Sequence, residues 1–157
     1  METVDNSIKP LNNMLIGEYK HNLDPKKRVA IPAKFRKEIG DKAVIAKGQD
    51  KCLFVYTMAE WEKVAEKLSQ LPTGSADTRN FVRLFLSGAN EVEIDAMGRI
   101  LISDQLKTFA ELKEKAVIVG VHKRLEIWNE ENWEEYKTRL EKDTDMLAEK
   151  MGEIGAY

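Results

Sequence analysis

The sequence predicts an α+β fold built from two pseudo-symmetric copies of one β-rich unit, with helices packed outside. Three observations lead there. Asp24-Pro25-Lys26-Lys27-Arg28-Val29-Ala30-Ile31 is echoed 71 residues on by Asp95-Ala96-Met97-Gly98-Arg99-Ile100-Leu101-Ile102. Gly17 and Gly88 match at the same spacing, while Tyr56 with Trp61 matches Trp128 with Trp133 at 72, so one residue is inserted between. Each copy then repeats one order of elements: strand, turn, strand, short helix, two strands, helix. Four short strands with one apolar face are marginal alone, so the halves are expected to interlock into one body.

Residues 1–13 are polar, with Pro10 and the pair Asn12 and Asn13, and are expected to form a flexible extension. The first copy covers residues 14–71. Residues 15–23 have strand character and end in the turn Asp24-Pro25-Lys26-Lys27, where the fixed φ of proline suits the second position. Val29 and Ile31 then alternate with Arg28 and Ala30, the period of a half-buried strand. Pro32 closes that strand and opens a short helix with Phe35 and Ile39, stopped at Gly40. Residues 43–47 and 52–56 are two strands joined through Gly48-Gln49-Asp50-Lys51. Thr57 followed by Glu60 has the form of a capping box, and the next helix places Trp61, Val64, Leu68 and Leu71 on one face.

Residues 72–87 comprise the linker Pro72-Thr73-Gly74-Ser75 and a connecting helix, expected to be capped by Asp77 or Thr78. That helix carries Phe81, Val82, Leu84, Phe85 and Leu86, an apolar face wide enough to predict burial between the halves. The second copy covers residues 88–157. Val92 and Ile94 lead to the second turn, Ile100 and Ile102 return from it, and Leu106, Phe109 and Leu112 belong to a short helix. Residues 116–121 and 125–128 are the last two strands. Asn129 is expected to cap one long final helix with Trp133, Tyr136, Leu140, Leu147 and Met151 along a stripe, a pattern of intramolecular or subunit contact.

Bulk properties exclude several classes. A chain of 157 residues with 43% hydrophobic and 33% charged residues is ordinary for a soluble globular protein, one domain or two small halves sharing a core. No apolar run approaches the roughly 18 residues of a membrane span, and the first 13 residues lack the pattern of a signal peptide, so the cytoplasm is the expected compartment. Cys52 is the only cysteine, which removes an intrachain disulfide and a multi-cysteine zinc site; its apolar neighbours predict a small buried hydrophobe. His21 and His122 have no carboxylate or cysteine at metal-ligand spacing. Neither a phosphate-cradling run of glycines nor a nucleophile beside a base is present. Hence no catalysis, metal, cofactor or small-molecule substrate is expected. Glu91, Glu93 and Asp95 alternate on one strand and predict a soluble edge.

The net charge of −2 conceals a division. From Lys20 to Lys37 seven basic residues stand against Asp24 alone, and from Glu130 to Glu153 nine acidic residues stand against four basic ones. Distribution, not the sum, decides local binding. A hairpin tip with Lys26, Lys27 and Arg28 can offer cations to phosphates, and arginine can engage guanine bidentately. The alternative is that Asp24 pairs with Arg28 merely to stabilise the turn, with the lysines solvated. Lys34, Arg36 and Lys37 on the neighbouring helix are either a solvated face or non-specific phosphate contacts. Trp61, Trp128 and Trp133 can stack on bases, but their repeated place beside strand and helix starts predicts core packing.

The two turns in register, Ile31-Pro32 with Phe35-Arg36, and Glu126-Ile127-Trp128 followed by Trp133 together resemble the MraZ family of bacterial regulators, over residues 14–147. The resemblance implies a small swapped-hairpin, double-ψ-type β-barrel related to AbrB. It also implies a ring-like homo-oligomer on repeated double-stranded DNA elements, commonly repressing the division and cell-wall gene cluster together with its own gene, and hence a cytoplasmic, nucleoid-associated protein. The family turn usually reads Asp-x-Lys-Gly-Arg, and its Lys and Arg map onto Lys26 and Arg28 in the first copy and onto Arg99 in the second. Asp24, Asp95 and Gly98 then serve the turns structurally. Three departures stand out: Lys27 replaces glycine, so the first turn is expected to lose a left-handed residue; Met97 replaces lysine; and Ser103 replaces the second proline. The first copy is therefore the better DNA-binding candidate, and a scaffolding oligomer that has lost DNA recognition is the alternative. On the DNA-binding reading the acidic final helix is expected to face away from DNA.

Overall fold

Alternating side chains, one set apolar toward each side, make most strands of this chain two-faced. The computed structural model describes residues 14–156, so the extension expected over 1–13 lies outside the described residues. In chain order the elements are β1 (Leu15–Asn22), β2 (Arg28–Ala30), α1 (Ala33–Ile39), β3 (Lys42–Lys47), β4 (Leu53–Thr57), α2 (Met58–Ser69), α3 (Ala76–Ser87), β5 (Asn90–Glu93), β6 (Arg99–Leu101), α4 (Asp104–Phe109), β7 (Lys115–His122), β8 (Leu125–Asn129), α5 (Glu130–Glu141) and α6 (Thr144–Glu153).

The strands form one six-stranded antiparallel sheet in the order β1-β7-β8-β4-β3-β5 and a separate two-stranded ribbon, β2 with β6. Exchanging the copies reverses the sheet order, with β1 for β5, β7 for β3 and β8 for β4. The first strand of each copy therefore pairs with the third strand of the other copy: β1 crosses to β7 of the second copy, and β5 crosses to β3 of the first. The ribbon is also made of one strand from each copy, centred on Val29 opposite Ile100. Mixed α+β architecture with an interlocked duplication is thus present. A closed barrel is not: β1 and β5 end the ladder with one partner each.

Alternation sorts the sheet's side chains into two cores. Toward the ribbon, Ile45, Leu53, Val55, Ile118, Leu125 and Ile127 pack with Val29 and Ile100 of the ribbon, Phe35 of α1 and Leu106 of α4. Each such side chain taken from water contributes about 1.5–3 kcal/mol. On the opposite side, Phe54, Tyr56, Val117, Val119 and Trp128 pack against Trp61 and Val64 of α2, Phe85 of α3, and Trp133 and Tyr136 of α5. The three tryptophans belong to this second core, as their placement predicts.

Helix starts follow the sequence closely in two cases. The Thr57 hydroxyl accepts from the Glu60 N–H at 3.1 Å, and the Asn129 amide oxygen accepts from the Asn132 N–H at 3.0 Å. Gly40, at φ 78°, closes α1. Three expectations fail. α3 starts at Ala76 and is not capped by Asp77 or Thr78; instead Arg79 donates to the Thr73 carbonyl at 2.7 Å. Nor is α3 buried, since none of its residues is buried and Leu84 is 74% exposed. Only Phe85 reaches the second core, and Phe81 stacks on Phe85 at 5.6 Å outside it. The single long final helix is instead two, α5 and α6, broken at Lys142 and Asp143. The Thr144 hydroxyl donates to the Glu141 carbonyl at 2.9 Å, a side-chain bond that competes with helical continuation.

Candidate nucleic-acid interface

Asp24 organises the first turn through three bonds. Its Oδ1 accepts from the backbone N–H groups of Lys26 and Arg28, both at 2.9 Å, and its Oδ2 accepts from Arg28 Nε at 2.7 Å. The second turn repeats this: Asp95 Oδ1 accepts from Met97 and Arg99 N–H, and Oδ2 from Arg99 Nε, all at 2.9 Å. The Lys27 N–H donates to the Asp24 carbonyl, and the Gly98 N–H to that of Asp95, both at 2.9 Å. The first turn keeps its left-handed residue despite lacking the glycine: Lys27 has φ 63°, beside 79° for Gly98. The expectation that lysine here removes the left-handed position is thereby corrected.

These bonds set the acidity of both aspartates. Burial alone would raise the Asp24 carboxyl, but the Arg28 N–H, the Arg28 guanidinium and the Lys26 N–H hold it below its ordinary value. The Arg99 N–H leads in lowering Asp95, joined by the Arg99 side chain and the Met97 N–H. Charged aspartates in turn fix the two guanidinium groups by their Nε edges. Arg99 Nη1 also lies 3.9 Å from Asp24 Oδ2, so both guanidinium groups meet at one carboxylate. The pairing expected as the merely structural alternative is therefore present, and it leaves the terminal nitrogens of half-buried Arg28 without a partner among the described residues.

The antiparallel ribbon places each turn beside the helix of the other copy. The Ile31 N–H donates to the Gly98 carbonyl and the Ile102 N–H to that of Lys27, both at 2.8 Å. At the first turn the Lys27 ammonium pairs with Asp104 of α4, lowering the Asp104 carboxyl through that contact. At the second, Arg36 of α1 donates Nε to the Ile31 carbonyl at 3.1 Å and lies across buried Gly98, where an added Cβ would collide with the guanidinium. Of the candidate residues, Lys26 is exposed at the tip with no ion pair among the described residues. Lys27 and Arg36 are tied into contacts between the copies. Lys34 is exposed on α1, its ammonium 5.9 Å from the Phe35 ring centre. Asp104 was not among the sequence candidates, because only the β2–β6 pairing brings it to Lys27.

The remaining polar groups offer less chemistry. Cys52 is buried, its thiol pushed up by burial, and it donates to the Gln49 carbonyl at 3.2 Å. Burial and Arg36 lower His21. Among the described residues no group of three His, Cys, Asp or Glu side chains is placed to hold a metal ion, and no helix is long and apolar enough to cross a membrane. Glu126, at the second core, accepts from Arg124 at 2.8 Å and from the Trp128 indole at 3.1 Å. Acidic α5 packs through Trp133 and Tyr136 in that second core, on the side of the sheet opposite the ribbon and its turns.

Comparison with known proteins agrees with this duplicated architecture. The family model described as "MraZ protein, putative antitoxin-like" matches twice, over residues 14–84 and 85–152. A protein of Clostridium tetani (strain Massachusetts / E88) is 48% identical over 142 residues, covering 90% of this chain and 99% of its own length. One of Caldanaerobacter subterraneus subsp. tengcongensis is 49% identical over 140 residues, with 89% and 95% covered. One of Desulforamulus reducens is 45% identical over 141 residues, with 90% and 99% covered. All three are named "Transcriptional regulator MraZ". With both turns and nearly the whole described chain inside these matches, the chain belongs to the MraZ family of transcriptional regulators.

Proposed function

We propose that this regulator binds double-stranded DNA sequence-specifically through its two turns, as a ring-like homo-oligomer on repeated elements. It represses the division and cell-wall gene cluster, including its own gene, and works in the cytoplasm at the nucleoid. The observation that supports this most directly is the pair of guanidinium groups held at Asp24, with Lys26 exposed beside them. An arginine already fixed by its Nε loses little freedom when its terminal nitrogens meet a guanine edge or a phosphate. Each chain presents few such contacts, whereas a specific complex usually buries about 1,000 Å² or more of protein, so several protomers on repeated sites supply the affinity. Lys26 and Arg28 are the principal contacts, Arg99 the second-turn contact, and Lys27, Lys34 and Arg36 flank them.

Fluorescence anisotropy with the DNA upstream of the protein's own gene, against a shuffled fragment across a salt series, tests the reading. Tighter binding to the native fragment, weakening steeply with salt, is expected. Arg28→Ala should weaken native binding at least roughly fivefold, since a bidentate arginine–guanine contact is worth about 1–3 kcal/mol, and should leave assembly unchanged. Equal and feeble binding to both fragments would favour a scaffolding oligomer instead.

A further inference from the structure

The two turns stand in unequal electrostatic surroundings. Beside the first, an open groove of about 760 Å³ is bounded by Asp24 and Pro25 and, from the second copy, by Lys107, Lys113, Glu114 and Lys115. Chain crossover closes these walls together: Asn22 pairs with Lys115, and the Leu23 N–H donates to the Glu114 carbonyl at 2.7 Å. Asp24 is already engaged by Arg28 and two backbone N–H groups. Lys113 and Lys115 are exposed, and no ion pair engages either of them or Lys107 among the described residues. At the second turn the matching backbone bond runs from the Ile94 N–H to the Asp41 carbonyl at 2.9 Å. There Lys42 is paired with Glu91 at 3.4 Å, and exposed Glu93 stands opposite Lys42.

We propose that the groove beside the first turn receives a DNA phosphate backbone, with Lys107, Lys113 and Lys115 as its contacts, and that the carboxylates beside the second turn disfavour the same contact there. This rests on the DNA-binding reading above. The groove is wide open, and three ammonium groups line it against Glu114, the one carboxylate there not already engaged by an ion pair among the described residues, unlike an enclosed apolar small-molecule pocket. Lysine is a flexible point charge suited to phosphates, and such contacts set position on the duplex without reading bases. The second copy then contributes to DNA binding at two places, through Arg99 at its own turn and through lysines beside the first copy's turn.

The test is the salt series on the native and shuffled fragments with wild type, Arg28→Ala, the triple variant Lys107→Gln, Lys113→Gln, Lys115→Gln, and the triple Lys→Arg variant at those positions. A charge-matched control carries Lys67→Gln, Lys142→Gln and Lys150→Gln. Loss of three phosphate contacts should lower the slope of log affinity against log salt by about 2.7 and leave the preference for native over shuffled DNA intact. The Lys→Arg triple should restore the slope, and the control should keep it. An unchanged slope in the first triple, or an equal fall in the control, would overturn the groove while Arg28→Ala still reports on the turn. No native preference in wild type would overturn the DNA-binding reading and the groove together.

Discussion

Lys27 and Gly98 occupy the same left-handed position in the two turns, at φ 63° and 79°, and meet different neighbours across the ribbon. For an L-residue that conformation costs roughly 1–2 kcal/mol. Lys27 bears the cost and gains the ion pair with Asp104. Gly98 avoids it and leaves room for Arg36, which crosses its α-carbon. Gly98→Ala should therefore lower stability by about 1–2 kcal/mol, with Arg36 displaced from the Ile31 carbonyl. Chemical denaturation measures the first effect, and an unchanged midpoint would show that the turn relaxes without strain. The aspartates were recognisable as turn residues from the repeat. The roles of Lys27 and Arg36 as links between copies were not, because each acts on a residue about 70 positions away in the chain.

At the scale of elements, the crossover of β1 and β5 governs how the copies depend on each other. β1 has its whole ladder, Leu15 to Asn22, on the second copy. A chain ending after residue 71 lacks β7 and β8, so its β1 has no partner and β4 keeps only β3. Residues 14–71 produced alone should show no cooperative thermal unfolding by circular dichroism, and mixing with residues 72–157 should restore it. A sharp transition in the first piece alone would contradict the interlock. Sequence matching is imperfect as a guide here. Gly17 lies within β1 opposite Gly120, whereas Gly88 ends α3, which runs to Ser87 and leaves β5 only four residues. The spacing also shifts locally: Ala43 opposite Thr57 corresponds to Ala116 opposite Asn129, so residues are added before β7 and one is removed in the hairpin after it.

At the scale of the molecule, charge is sorted by the two sides of the sheet. The ribbon with its basic turns covers one side and acidic α5 covers the other, held at the β1 edge by Lys137 with Glu18 at 3.1 Å and by Lys20 with Glu130 and Glu134 at 3.9 Å. The acidic surface is thereby kept away from the turns. Apolar surface remains open on α3, at Phe81 and Leu84, and on α6 and just past its end, at Met146, Met151 and Ile154. Such faces suit the contacts of the proposed homo-oligomer. Leu84→Glu should shift the mass in light scattering toward the monomer and leave the circular dichroism spectrum unchanged. A wild-type monomer at micromolar concentration would remove the oligomer from the reading.

Local patterns determined the strands, the two turns, the caps at Thr57 and Asn129, and the duplication, because each depends on residues a few positions apart or on simple repetition. Period-2 alternation could mark an apolar side chain but not which of two cores it enters. Tertiary structure alone decided that α3 stays exposed, that the ladder is open at β1 and β5, and that Arg28 and Arg99 converge on Asp24. It also brought lysines of one copy beside the turn of the other. The physical reason is strand exchange: when each copy's first strand pairs with the other copy, neighbours in space are set by a register between distant segments.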